Sequence, residues 1–386
     1  MKYILDQLIK QVGIKELEII LVDSGSTDGS IQNLPGPNIK VIKIPSQKFS
    51  HSYARNLGVK QAKFETILFL TQDAIPPNEQ WLSSFLAKFQ TYQVSAATCS
   101  ERKRPGDLSD LHNRVDQFCH YEKLLKLGSS DQIYSIHKNN DPTEIRKGSS
   151  LNNVACLYKK SVLKKFKFRG NFAEDLDLGY RLIQKGHKTA ILGSIHVLHS
   201  HNRRPSYNIK RAYISTTVGE KIFPGQKFIS MDIDGVIPEI LSFYNYICAN
   251  KKKFKLGTLK NKTDITNTLN SVFNVNRQTS RNFELSENNY NDSEFFNFLT
   301  FLKQNQTQHH LHTKHIQFNF LARIKALNDY IQQPEITVEE ITQENLFENL
   351  IKMFADSCGF CLGNSYLNDR NNNLNVEIRN RLSHSV

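Results

Sequence analysis

Residues 64–81 read FETILFLTQDAIPPNEQW, and the fold turns on them. Thr66 to Leu70 is an unbroken apolar and β-branched run bounded by turn formers, the pattern of a strand buried on both faces. It breaks into Thr71-Gln72-Asp73-Ala74 and then into Pro76-Pro77. A carboxylate just past the carboxyl end of such a strand lies where open α/β sheets bind ligands. Asp73 could equally cap the turn ahead of a helix around Trp81, and this stretch alone does not choose.

The same alternation continues on both sides. Tyr3 to Gln11 has helical apolar spacing (Ile4, Leu5, Leu8, Ile9, Val12) closed by Gly13. Leu17 to Val22, LEIILV, reads as a second buried strand. It runs into Asp23-Ser24-Gly25-Ser26-Thr27-Asp28-Gly29-Ser30, small residues suited to a ligand-facing turn. Ile39 to Ile44 is a third strand, and FSHSYARNLG, residues 49–58, opens the helix leading back to the Asp73 strand. Strand, helix, strand at this spacing predicts a mostly parallel sheet with helices on both faces.

Downstream, Val94 to Thr98 is a further strand and Cys99 to Leu127 a charged connection with helical stretches. Ser149 to Tyr158 re-enters the core, and Lys159 to Phe168 is a basic helix. Glu174, Asp175 and Asp177 fall in the first turns of a helix that closes at Gly186. The helix dipole favours acids there by about 0.3–1 kcal/mol each, so end stabilisation competes with a functional role. Asp177 is expected to point away from Asp175 and to be structural. Ala190 to Leu192 and Ile195 to Leu198 are short apolar runs that deliver His199-Ser200-His201.

The formal charge of +13 is unevenly spread over the 386 residues. Residues 151–262 hold 21 Lys plus Arg against 7 Asp plus Glu, whereas residues 263–386 hold 10 against 14. A basic middle implies either an anionic partner (ligand phosphates, a lipid surface, nucleic acid) or a solvated face. Specific nucleic-acid binding is disfavoured, because neither aromatic interleaving nor a known module accompanies the charge. Six scattered cysteines fit a reduced cytoplasmic protein, and no apolar run reaches membrane-spanning length.

Asp73, Asp175 and His199 or His201 thus stand at strand ends or helix starts of one α/β unit. Such an oxygen and imidazole set can hold Mg²⁺ or Mn²⁺ while a diphosphate supplies further oxygens, and a nearby carboxylate can act as a general base. Spacing alone does not show that the groups converge.

VDSGSTDGS, FSHSYARNLG, FLTQDAIPPNEQWL, NFAEDLDLGYRL and HSH occur in the order and approximate spacing of family 2 glycosyltransferases. The QDA form and the F-x-H-x-x-x-R-N-x-G before it look most like the bacterial rhamnosyltransferase branch, as does the stretch Glu101 to Pro105. The resemblance covers residues 1 to about 220. It implies a GT-A-like fold and inverting sugar transfer from a nucleotide diphosphate donor (dTDP, UDP or GDP) to a glycan or lipid-linked acceptor. By the same resemblance Asp23 and Arg55 contact the donor and Asp73 binds the metal. His199, with His201 as second choice, lies near the metal and diphosphate, and Asp175 is the catalytic base with Glu174 beside it. Arg55 could instead pair with a carboxylate and tie helix to sheet.

Family members usually begin with a strand ahead of the helix that starts here at Met1. That strand lies in mid-sheet, so the chain reads as N-terminally truncated and its neighbours are expected to lack a partner. A truncated, non-catalytic remnant that binds a partner or a membrane surface is therefore the alternative function. The expected domains are 1–222 for the transferase, 223–262 for a basic connecting segment, and 263–386 for an Asn-rich linker and a mainly helical extension. The C-x-x-C at Cys358 and Cys361, and the histidines at 309, 310, 312 and 315, lack zinc-site spacing and are expected to be structural or incidental.

Overall fold

The computed structural model describes residues 1–32, 34, 36, 38–104, 111–125, 131–135, 141–225, 228–254, 259–273, 292–306, 314–342 and 346–383. Two compact units emerge: residues 1–107 with 117–200, and residues 108–116 with 201–386. This division falls elsewhere than the expected limits at 222 and 262.

The first unit runs α1 (Lys2–Ile9), β1 (Ile19–Asp23), β2 (Ile39–Lys43), α2 (His51–Gln61), β3 (Thr66–Leu70), α3 (Trp81–Thr91) and β4 (Ala96–Arg102). After the end of α4 (Leu111–Leu124) come β5 (Asp131–Tyr134), α5 (Pro142–Gly148), β6 (Ala155–Lys159), α6 (Lys160–Phe166), α7 (Glu174–Gln184) and β7 (Thr189–Leu198). Strands β1 and β2 pair parallel as a sheet of their own. The other five have the order β3-β6-β4-β7-β5.

The expectation of a mostly parallel sheet is corrected. Only β4–β7 is parallel in the larger sheet, because β6 enters antiparallel between β3 and β4, and β5 lies antiparallel on β7. The sheet is mixed and flanked by helices. Among the described residues β1 pairs only with β2, and β3 only with β6. Both strands are half-buried along their apolar runs, not buried on both faces as their composition suggested. The core lies on β4, β6 and β7, where Ala97, Leu157, Ala190 and Leu192 meet Trp81, Phe85 and Phe89 of α3.

Two features set the ligand end of this sheet. Strand β4 runs on to Arg102, well into the charged stretch read as a connection, because β7 offers it a second set of parallel partners. The register jumps between Cys99↔Leu192 and Ser100↔His196, so residues 193–195 bulge and Glu101 lies opposite Val197. The second feature is a bridge from Ile75 to Leu198, both N–H···O distances being 2.9 Å. It ties the turn after β3 to the end of β7.

The second unit is helical: α8 (Pro205–Ile222), α9 (Ile233–Ala249), α10 (Lys262–Val272), α11 (Ser293–Gln304), α12 (His315–Ile331), α13 (Val338–Thr342), α14 (Leu346–Asn368) and α15 (Asn373–Leu382). Helix α14 is buried on nearly every side, as a central helix should be. It lies close against α8, where a Cβ on Gly359 would sit 2.2 Å from the Ile209 carbonyl oxygen. Cys358 and Cys361 are buried on α14, and burial pushes both thiols well up, in line with a structural role. Of the histidines near 310, only His315 lies within the described residues. No described helix is long and apolar enough to cross a membrane.

Candidate active site

Asp73 follows β3 by three residues, in a turn closed by Ala74 N–H to the Thr71 carbonyl at 3.1 Å. The bridge at Ile75 then carries it to the end of β7. His199 is the first residue past β7, anchored by its N–H to the Arg102 carbonyl at 2.8 Å. Its Nε2 lies 3.4 Å from Asp73 Oδ1. A ligand atom from each of Asp73, His199 and His201 falls within 4.8 Å of the others. Burial opposes a charged imidazole at His199, but hydrogen bonds and charge from Asp73 and Glu101 outweigh it and raise the group to about 9.

Glu101 was not singled out by sequence as a site residue. Its side chain is only 7% exposed, and its Oε2 lies 2.5 Å from His199 Nδ1. Burial works to raise its pKa, yet the His199 contact and the Tyr121 hydroxyl bring the net shift downward. No local signal marks it, since the residue sits in a polar run and becomes a buried strand position only through its pairing with β7.

Asp175 is held at the start of α7. Ala173, in the left-handed region at φ 54°, turns the chain into the helix directly ahead of Glu174 and Asp175. Asp175 Oδ2 accepts from Asn153 N–H at 3.0 Å and Oδ1 from Leu176 N–H at 2.9 Å. One turn on, Gly179 presses on the Ser149 backbone so tightly that a Cβ would lie 2.3 Å from its carbonyl oxygen. This contact fixes how far α7 stands from the segment that orients Asp175.

Glu174 is buried and forms an ion pair with Arg55, whose guanidinium lies 5.9 Å from the Phe168 ring centroid. Arg55 therefore ties α2 to α7, as its alternative reading had it, and the Asp175 charge also acts on it. Asp177 is gripped by Arg169 and Arg181, in keeping with its structural reading. Asp23 stands apart at the end of β1. Its carboxylate accepts from Ser26 N–H at 3.0 Å and Gly25 N–H at 3.3 Å, and Ser26 is the main reason its pKa is lowered.

The structure thus gathers Asp73, His199 and His201 into one group, and joins Arg55 to Glu174 with Asp175 close enough to act on Arg55. An α/β domain with an acid and imidazole group at its strand ends and a carboxylate at a helix start has the build of a GT-A-like glycosyltransferase. The family model "Glycosyl transferase family 2" matches residues 1–165.

Among its relatives is an O-antigen chain rhamnosyltransferase of Salmonella typhimurium, 29% identical over 232 residues, or 59% of this chain and 69% of the relative. A second, from Salmonella anatum, is 30% identical over 208 residues, covering 52% and 62%. The chain thus spans about two thirds of the length of these curated relatives. Among solved structures, a mannosyltransferase from Pyrobaculum calidifontis in complex with GDP-Man and Mn²⁺ gives a TM-score of 0.42 at 17% identity, over 58% of this chain and 60% of that one. S. aureus TarS gives 0.41 at 16%, over 85% and 84%.

Proposed function

We propose that this protein is an inverting glycosyltransferase that moves a sugar, rhamnose first among candidates, from a nucleotide diphosphate donor to a hydroxyl of a glycan or lipid-linked acceptor. The observation that carries the reading is the gathering of Asp73, His199 and His201 at the strand ends of a family 2 domain. Both Salmonella relatives are O-antigen chain rhamnosyltransferases, which favours rhamnose.

One carboxylate oxygen and two imidazole nitrogens suit Mn²⁺ better than Mg²⁺, which prefers oxygen ligands. A cation held by Asp73, His199 and His201 would neutralise charge on the departing diphosphate. Asp175 is the base. Its two backbone hydrogen bonds hold the carboxylate in place and leave lone pairs for the acceptor hydroxyl. As the acceptor oxygen bonds to the anomeric carbon from the face opposite the donor, its proton passes to Asp175. The carbon–diphosphate bond breaks and its electron pair leaves with the diphosphate. Arg55 and Asp23 serve the donor side, and Glu174 holds Arg55. Work at the inner face of the cell membrane would suit the basic residues 151–262 and a lipid-linked acceptor.

A panel of dTDP-, UDP- and GDP-sugars, assayed with Mn²⁺ on a lipid-linked glycan acceptor, tests the reading. Turnover with one nucleotide, lost in Asp73→Ala and reduced about 10²- to 10⁴-fold in Asp175→Asn, is expected. The alternative, a non-catalytic binding protein, is favoured by the split between the two sheets. A folded protein that binds none of the nucleotides would establish it.

A further inference from the structure

We infer that Glu101 is the positioning residue for His199: it holds the imidazole so that Nε2, and not Nδ1, faces the cation site. This rests on the reading that Asp73, His199 and His201 hold a divalent cation. The Glu101 carboxylate receives four donors. Oε1 accepts from Asn152 Nδ2 at 2.7 Å and the Tyr121 hydroxyl at 3.1 Å, while Oε2 lies 3.0 Å from Gln117 Nε2 and 2.5 Å from His199 Nδ1. An ionised carboxylate has about four lone-pair sites and no proton to give. Because the ionised carboxylate can only accept, the ring nitrogen facing Glu101 must carry the hydrogen. In the neutral imidazole that leaves the lone pair on Nε2, the nitrogen 3.4 Å from Asp73 Oδ1.

The backbone builds this contact. Glu101 lies opposite Val197 in the parallel register, and His199 is two residues beyond Val197, so His199 falls on the same face as Glu101. Asn152 is locked in turn: its carbonyl accepts from the Thr98 hydroxyl at 3.0 Å, and its Oδ1 from Val154 N–H at 3.0 Å. A carboxylate behind a ligand histidine fixes the ring's orientation and raises its basicity, and losing such a partner costs about 10- to 100-fold in metal affinity.

The experiment is calorimetric titration of Mn²⁺ into the full chain, for wild type, Glu101→Gln, His199→Ala and the double variant, with a thermal melt of each. Glutamine keeps the shape but turns one acceptor into a donor. Glu101→Gln is expected to weaken Mn²⁺ about 10- to 100-fold, and to add little in the His199→Ala background, because both act through one ring. An unchanged affinity, or an equal loss with and without His199, would overturn the inference. Should Glu101→Gln not fold, Glu101→Asp decides: the shorter side chain draws the carboxylate back from Nδ1, and an unaltered Mn²⁺ affinity would overturn the inference too.

Failure of the wild type to bind Mn²⁺ would sink the cation reading itself. The NMR signal of the His199 Nδ1 proton then decides Glu101. A strongly downfield resonance that moves upfield in Glu101→Gln supports the orienting contact, and an unmoved resonance refutes it.

Discussion

The two sheets of the first unit are built from equally apolar strands and come to different ends. Ile19–Asp23, Thr66–Leu70 and Ala155–Lys159 each hold four apolar residues in five, yet the first two are half-buried and the third is buried over its first four residues. Among the described residues, strand β6 has partners on both sides, while β1 and β3 have one each. Burial of a strand is a property of its neighbours. The candidate site residues divide along the same line, with Asp23 on the small sheet and Asp73, Glu101 and His199 at the ends of the large one.

The first way to sharpen this contrast is to truncate one leucine in each sheet. Leu157→Ala, in a fully enclosed position of β6, is expected to cost about 2–5 kcal/mol of unfolding free energy. Leu21→Ala on β1 is expected to cost about 1 kcal/mol, since much of that side chain is already in water. Chemical denaturation measures both, and equal losses would break the comparison.

Gly179→Ala tests the contact behind Asp175. A Cβ at that site meets backbone, which cannot swing aside, so a loss of about 1–3 kcal/mol is expected. A melt unchanged from wild type would mean that the segment at Ser149 gives way freely.

Asp23→Asn is expected to weaken nucleotide binding about tenfold, near 1.4 kcal/mol, with Mn²⁺ affinity unchanged. A joint loss of both in calorimetry would show that the two sheets do not act separately.

The smallest expected effect is on pH dependence in the metal-free protein. His199 is raised from 6.5 to about 9 in the folded state, so its stabilising contribution is complete below pH 6.5 and is lost as pH rises through 9. Melts between pH 6 and 10 should therefore decline more steeply for wild type than for His199→Ala. Parallel curves would show that the ring is not charged in the folded protein.

Much of the site was legible because its residues lie at punctuation marks. Asp73 ends an apolar run, Asp175 opens a helix and His199 follows a strand, and each boundary is set by local propensity. Arg55 was half legible: its position was read, but its pairing with Glu174 depends on how α2 meets α7. Glu101 was not legible as a site residue. The apolar pattern stops at Thr98, and only pairing with β7 beyond a three-residue bulge carries β4 on to Arg102.

The sequence by itself determined the alternation of strands and helices, the resemblance to family 2 glycosyltransferases, the turn at Asp73 and the cluster of acids at the start of α7. These follow from side-chain periodicity and from the chemistry of turns and helix ends, which act over a few residues. The tertiary structure alone decided that the larger sheet is mixed, that β1 and β2 form a sheet apart, and that Glu101 stands behind His199. Strand direction and register are settled by backbone hydrogen bonds between segments as much as a hundred residues apart, and no local pattern encodes which partner a strand will meet.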